Sequence, residues 1–184
     1  MKRNVSSLIT GIIIALTVSL FTHDNSLHYL RFHLNLYDTA TEEKTIEDTL
    51  RLFNKHFATF FNTGGNLGGL NEFPAANLIK RRIVQEINEW TKNNQILVYD
   101  RDIFEIEQTV FLSPERAVTV AQEVWFLNVQ NKQDRKEKSG VKASPIRIRY
   151  FLKKLDSRWR VIEYEVFGKD NDIPPPPHYL NHHS

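Results

Sequence analysis

Cysteine is absent from the 184 residues, which excludes disulfides, thiolate metal sites and a cysteine nucleophile. It does not fix the compartment, because many extracytoplasmic chains also lack cysteine. Glycine and proline number seven each, and both are clustered. Four of the glycines fall in Asn62–Gly69, NTGGNLGG, and four of the prolines in Pro174–Pro177. The glycine cluster follows a helical pattern rather than a strand and has no Gly-Lys-Ser/Thr, so it reads as a flexible connector and not as a phosphate-cradling loop. An excess of charge is missing too. Lys and Arg total 24 against 22 Asp and Glu, a balance that leaves no footprint for nucleic acid. No third ligand at a defined spacing accompanies the terminal His182-His183 pair, so no metal is expected. No cofactor motif is present either.

What is present begins with one long uncharged run. Val5 to Thr22 carries no charge and follows Lys2 and Arg3; as a helix these eighteen residues would span about 27 Å, enough to cross a thin bilayer. A transmembrane anchor over 1–22 is expected, with the remainder extracytoplasmic by the positive-inside rule. The alternative is a signal segment whose cleavage releases a secreted protein, although no A-x-A pattern marks a cleavage site. Residues 23–44 read as a juxtamembrane linker, in which Leu27 to Leu36 is either interfacial or an ordinary helix. The folded domain is expected over 45–168, followed by a disordered tail over 169–184 whose Pro174–Pro177 favours polyproline II.

Within the domain, Thr45-Ile46-Glu47-Asp48 has capping-box spacing. It leads into Ile46, Leu50, Phe53, Phe57 and Phe60/Phe61 at helical steps. A second helix is expected from Ala75 to about Asn93 with Leu78, Ile79, Ile83, Ile87 and Trp90 on one face. The period then changes to two. Strands are expected at Ile103–Ile106 with Val110–Leu112 and at Ala117–Val129, joined by a turn at Ser113–Arg116. Asn131–Ser144, rich in Lys and Arg, reads as a mobile loop. Finally, Pro145–Phe167 is a hairpin turning at Asp156-Ser157. With Leu155 opposite Arg158, simple alternation pairs Tyr150 with Glu163 and Ile148 with Glu165 on one face. On the other it pairs Arg149 with Tyr164 and Phe151 with Ile162. The fold class is therefore α+β: N-terminal helices followed by an antiparallel sheet.

Two chemistries fit this layout. Arg149, Phe151, Ile162, Tyr164 and Val166 would form an aromatic, basic-edged strip suited to a protein partner or a homodimer seam. Alternatively, an apolar pocket would hold a carboxylate base and a tyrosine donor, with Glu123, Tyr150 and Glu163 as candidates and Asp100 or Asp102 as others. His56, set among phenylalanines, reads as a rim or core residue. The non-catalytic, membrane-tethered interaction domain is the favoured reading, and the pocket enzyme the alternative.

The order helix, helix, antiparallel meander, with a last hairpin containing Arg147-Ile148-Arg149-Tyr150 and Arg158-Trp159-Arg160-Val161, resembles the nuclear transport factor 2-like superfamily. With Ser113-Pro114-Glu115-Arg116-Ala117-Val118 before the central strand, it looks most like the domain at the end of cyanobacterial and plastid division proteins. Assembly factors of type IV secretion share the layout of one membrane helix before such a domain, but their Asn-Pro ahead of the last strands is not found here. The resemblance implies a cone-shaped, curved antiparallel sheet capped by the N-terminal helices, with room for a pocket of the kind that relatives acting as isomerases or hydrolases use. It also implies a role in a cell-envelope assembly of division or secretion type.

Overall fold

The structure is a computed structural model that describes residues 24–34, 36–142 and 145–167. The expected anchor over 1–22 and the tail over 169–184 lie outside the described residues. Among the described residues no helix is long and apolar enough to cross a membrane. The chain divides into two compact units, 1–39 and 40–184.

In the first unit, α1 (Asp24–His33) places Arg31 and His33 in its last turn, where the helix dipole favours cations. Phe32 packs edge-on against His33 and Tyr37, with ring centroids 6.0 and 5.6 Å apart. Tyr29, Leu30, Leu34 and Leu36 remain exposed.

From Ala40 on, α2 (Thr39–Asn62) belongs to the second unit, and it buries Ile46, Leu50, Phe53, Asn54, Phe60 and Phe61 along one stripe. The helix starts ahead of the expected Thr45. The Thr45 hydroxyl donates to the Thr41 carbonyl at 2.9 Å, so Thr45 is an interior residue and not a cap. The extra turn is held from outside the helix, because Glu42 accepts hydrogen bonds from Lys154 Nζ at 2.5 Å and Trp159 Nε1 at 2.6 Å. The helix ends in a Schellman arrangement in which Gly64 N–H donates to Phe61 O and Gly65 N–H to Phe60 O. Gly64 has φ +65 there, and a Cβ would sit 2.7 Å from Ile96 Cγ2, so glycine is required on both counts.

The connector is more than a flexible link. Phe73 is fully buried and stacks on Phe53 at 4.8 Å. Val161 N–H donates to Pro74 O, and Ala76 N–H to Val161 O. Helix α3 (Asn77–Lys92) then buries Ile79, Ile83 and Ile87, one residue per turn. Leu78, expected on that face, points away and is 60% exposed. A stripe one residue wide is enough where the helix lies against a sheet.

The strands are β1 (Gln95–Ser113), β2 (Arg116–Asn131), β3 (Glu137–Lys142), β4 (Ile146–Leu155) and β5 (Arg158–Phe167). They form one antiparallel sheet in the order β1-β2-β4-β5, with β3 also on β2. β2 pairs with β4 over Arg116–Glu123 and with β3 over Phe126–Gln130. The segment expected to be a mobile loop therefore contains a strand, because the far half of β2 would otherwise have an open edge. Three register shifts in β1 bend the long hairpin. The Asp156-Ser157 turn is as expected, and both residues have positive φ, 51 and 61, as a type I′ turn requires. The hairpin beyond it departs from simple alternation. A bulge leaves Ile162 without a partner and pairs Tyr150 with Tyr164, Phe151 with Glu163, Arg149 with Glu165 and Ile148 with Val166.

Candidate functional site

Parity along β2 sets the concave face. Ala117, Thr119, Ala121 and Glu123 share it with Leu152, Tyr150, Ile148 and Ile146 of β4. The row of small side chains leaves room for the Tyr150 phenol, whose hydroxyl reaches Asn54 of α2. Glu123 ends that row as a fully buried carboxylate. Burying a carboxylate is costly unless donors surround it, and three do. Asn54 Nδ2 and the Tyr150 hydroxyl donate to Oε1 at 3.0 and 2.5 Å, and Trp125 Nε1 donates to Oε2 at 2.6 Å. The same Tyr150 hydroxyl lies 3.2 Å from Asn54 Oδ1.

Burial raises the Glu123 carboxyl above its ordinary range, while the bonds from Tyr150, Asn54 and Trp125 and the field of Arg101 pull it back. Tyr150 is held well above the ordinary phenol range, first by burial and then by the Glu123 charge. Arg101 stacks over Phe104 at 5.0 Å and Trp125 at 5.8 Å. Its Nη1 is buried with no hydrogen-bond partner, so its contribution to Glu123 is electrostatic rather than a bonded ion pair.

A cavity of about 290 Å³ opens beside this cluster. Six of its thirteen lining residues are aromatic: Phe53, Phe57, Tyr99, Trp125, Tyr150 and Tyr164. Phe57, Tyr99 and Trp125 meet one another at 66 to 88° with centroids 5.2 to 6.3 Å apart. They form a corner of three nearly perpendicular rings. Tyr99 is positioned by Asn62, whose side chain donates to Tyr99 O at 2.8 Å and accepts from Tyr99 N–H at 2.6 Å. Glu86 of α3 also lines the cavity; partial burial raises its carboxyl, and Arg82 opposes that. Tyr99 and Tyr164 are both raised by burial and then by Glu86.

Of the expected site residues, Glu123 and Tyr150 come together. Glu163 does not, because the bulge turns it to the opposite face across from Phe151, where it is exposed. Asp100 and Asp102 are exposed and line no part of the cavity. His56 packs against Phe60 and Phe73 at 5.7 and 6.1 Å, and burial lowers its pKa. The expected strip is divided between the two faces. Tyr164 and Val166 line the cavity; Arg149 and Phe151 are buried on the other face, and Ile162 sits in the bulge. Residues not singled out in the sequence are Asn54, Phe57 as a wall, Glu86, Tyr99 and Trp125. Asn54 carried a signal: an amide inside an otherwise apolar helical stripe implies a buried polar partner. Among the described residues no cluster of three His, Cys, Asp or Glu side chains could hold a metal.

Comparison with solved structures finds the intermembrane space region of the chloroplast protein ARC6, at 14% identity and a TM-score of 0.57, over 67% of this chain and 94% of that one. An NTF2-like protein of unknown function from Prochlorococcus sp. NATL2A matches over 49% of this chain and 63% of its own, at 16% identity and a TM-score of 0.34. No protein-family model matches the chain, and no curated protein does. The fold of the second unit is shared with the ARC6 region.

Proposed function

We propose that this chain is a non-catalytic interaction protein of the cell envelope, whose folded unit binds a protein partner through the concave cavity. The observation that carries this reading is the state of Glu123. It has no exposed surface and already accepts three hydrogen bonds, so it braces the cavity floor and presents no exposed oxygen to a substrate. Apart from Asn54 and Glu86 the remaining lining is aromatic and aliphatic, and aromatic anchors in apolar pockets are what binding hot spots use. Of the residues expected to contact a partner, Tyr164 and Val166 carry this role from the cavity side.

A membrane-tethered, extracytoplasmic placement is part of the proposal. It is supported by the uncharged run after Lys2-Arg3 and by the exposed Tyr29, Leu30, Leu34 and Leu36 in and after α1, which suit a lipid-water boundary. The likeness to a region that in its own protein lies in an intermembrane space is in keeping with that placement.

The test is Val166→Trp. Val166 is 58% exposed and lines the cavity, so an indole there obstructs the mouth without entering the core. Cross-linking of the full chain in its native membrane should lose its partner adduct while the melting temperature stays within about 2 °C of the parent. An adduct of the mass of two chains would make the partner a second copy. If the adducts are the same with and without the indole, the cavity is not the contact.

One observation favours a second reading. A carboxyl held above its ordinary range beside a phenol, under an apolar cavity, is the pair an isomerase or hydrolase would use. Turnover of any carbonyl or ester substrate that is abolished by Glu123→Gln in a still-folded protein would establish it over the first.

A further inference from the structure

The cavity has a charge character that the apolar walls conceal. Among the described residues the acidic side chains that line it are Glu86 on α3 and Glu123 on β2, and no Lys, Arg or His does. Two cations stand nearby. Arg82 lies close enough to act on Glu86 and Tyr164, and Arg101 is stacked on Phe104 and Trp125. Neither is a lining residue. An occupant therefore meets the aromatic corner of Phe57, Tyr99 and Trp125 together with the carboxyl group of Glu86, above the buried Glu123. Aromatic surfaces of this kind attract ammonium groups, more strongly once water is excluded. A purely apolar occupant would gain the walls but would desolvate Glu86 without compensation.

We infer that the cavity is a site for an organic cation with an aliphatic stem, presented by the protein partner as a lysine side chain: the stem lies along Ile146, Ile148 and Val166, and the ammonium sits between the aromatic corner and Glu86. This rests on the reading of the cavity as the binding surface, and it adds the chemistry that the cavity selects. Lysine suits the geometry, because its stem buries along apolar surface while its charged end needs only one anionic neighbour.

The experiment compares probes that differ by the charge alone. The full chain in maltoside micelles is titrated with capped Gly-Lys-Gly, capped Gly-norleucine-Gly and choline, and binding is read by tryptophan fluorescence, since Trp125 lines the cavity. The lysine peptide should bind about tenfold or more tightly than the norleucine peptide. Glu86→Gln should remove most of that preference, by weakening lysine binding and by relieving the desolvation that the norleucine peptide incurs. Equal binding of the two peptides overturns the cation inference while leaving the cavity as a binding surface. Choline binding with no lysine binding also overturns it, by moving the source to a free small cation. Saturable binding by none of the three, in a protein whose melting is normal, overturns both this inference and the function it rests on.

Discussion

Removing the Tyr150 hydroxyl is the most direct test of the floor of the cavity. Tyr150→Phe keeps the ring, which is edge-on to Phe53 at 5.9 Å, and deletes only the donor 2.5 Å from Glu123 Oε1. Above the pKa of Glu123 a buried carboxylate loses one of its three donors, and a hydrogen bond to a charged group is worth about 1.5–3 kcal/mol. Below it the carboxyl is neutral and the loss is about 0.5–1.5 kcal/mol. The sign follows from linkage. Burial already raises Glu123 in the folded state, so the protonated form is favoured by folding, and stability from this group is present at low pH and lost as pH rises through the folded pKa. The phenylalanine variant raises that pKa further, so its stability must fall more steeply with rising pH than the parent's. Urea unfolding of the full chain at several pH values from about 4 to 8 reads this directly. A destabilisation under about 0.5 kcal/mol, or one that does not grow with pH, would refute the claim that Tyr150 braces Glu123 as a donor to its carboxyl group.

Two further substitutions test the fold around the site. Gly64→Ala should cost about 1–3 kcal/mol, because the residue has φ +65 and its Cβ would press on Ile96; a neutral effect in thermal melting would contradict the Schellman end of α2. On α3, Leu78→Ser should stay within about 0.5 kcal/mol, while Ile79→Ala costs about 2–5 kcal/mol, since Leu78 is 60% exposed and Ile79 1%. Reversal of that order would mean that α3 is rotated about its axis.

The elements themselves were legible where their causes are local. The Ile46, Leu50, Phe53 stripe of α2, the Ile79, Ile83, Ile87 stripe of α3 and the Asp156-Ser157 turn each depend on neighbours a few residues away, and each appears as expected. So does the pairing of Leu155 with Arg158 and of Leu152 with Val161 next to that turn. The start of α2 was not legible, because Glu42 is held by Lys154 and Trp159 from the far end of the chain. Nor was β3, whose charged sequence resists strand assignment until the vacant edge of β2 beyond Glu123 is known.

The residue types of the candidate site were therefore in the sequence, but its membership was decided by the tertiary structure. Glu123 and Tyr150 could be named as a carboxylate and a donor, and they do meet. Glu163 could be named on the same grounds and turns away, because one unpaired residue at Ile162 shifts the register and moves every later side chain of β5 to the other face. Alternation within a strand is set by covalent geometry and can be read from the chain. Where alternation breaks depends on how a curved sheet fits against α2 and α3, which only packing across the whole unit determines.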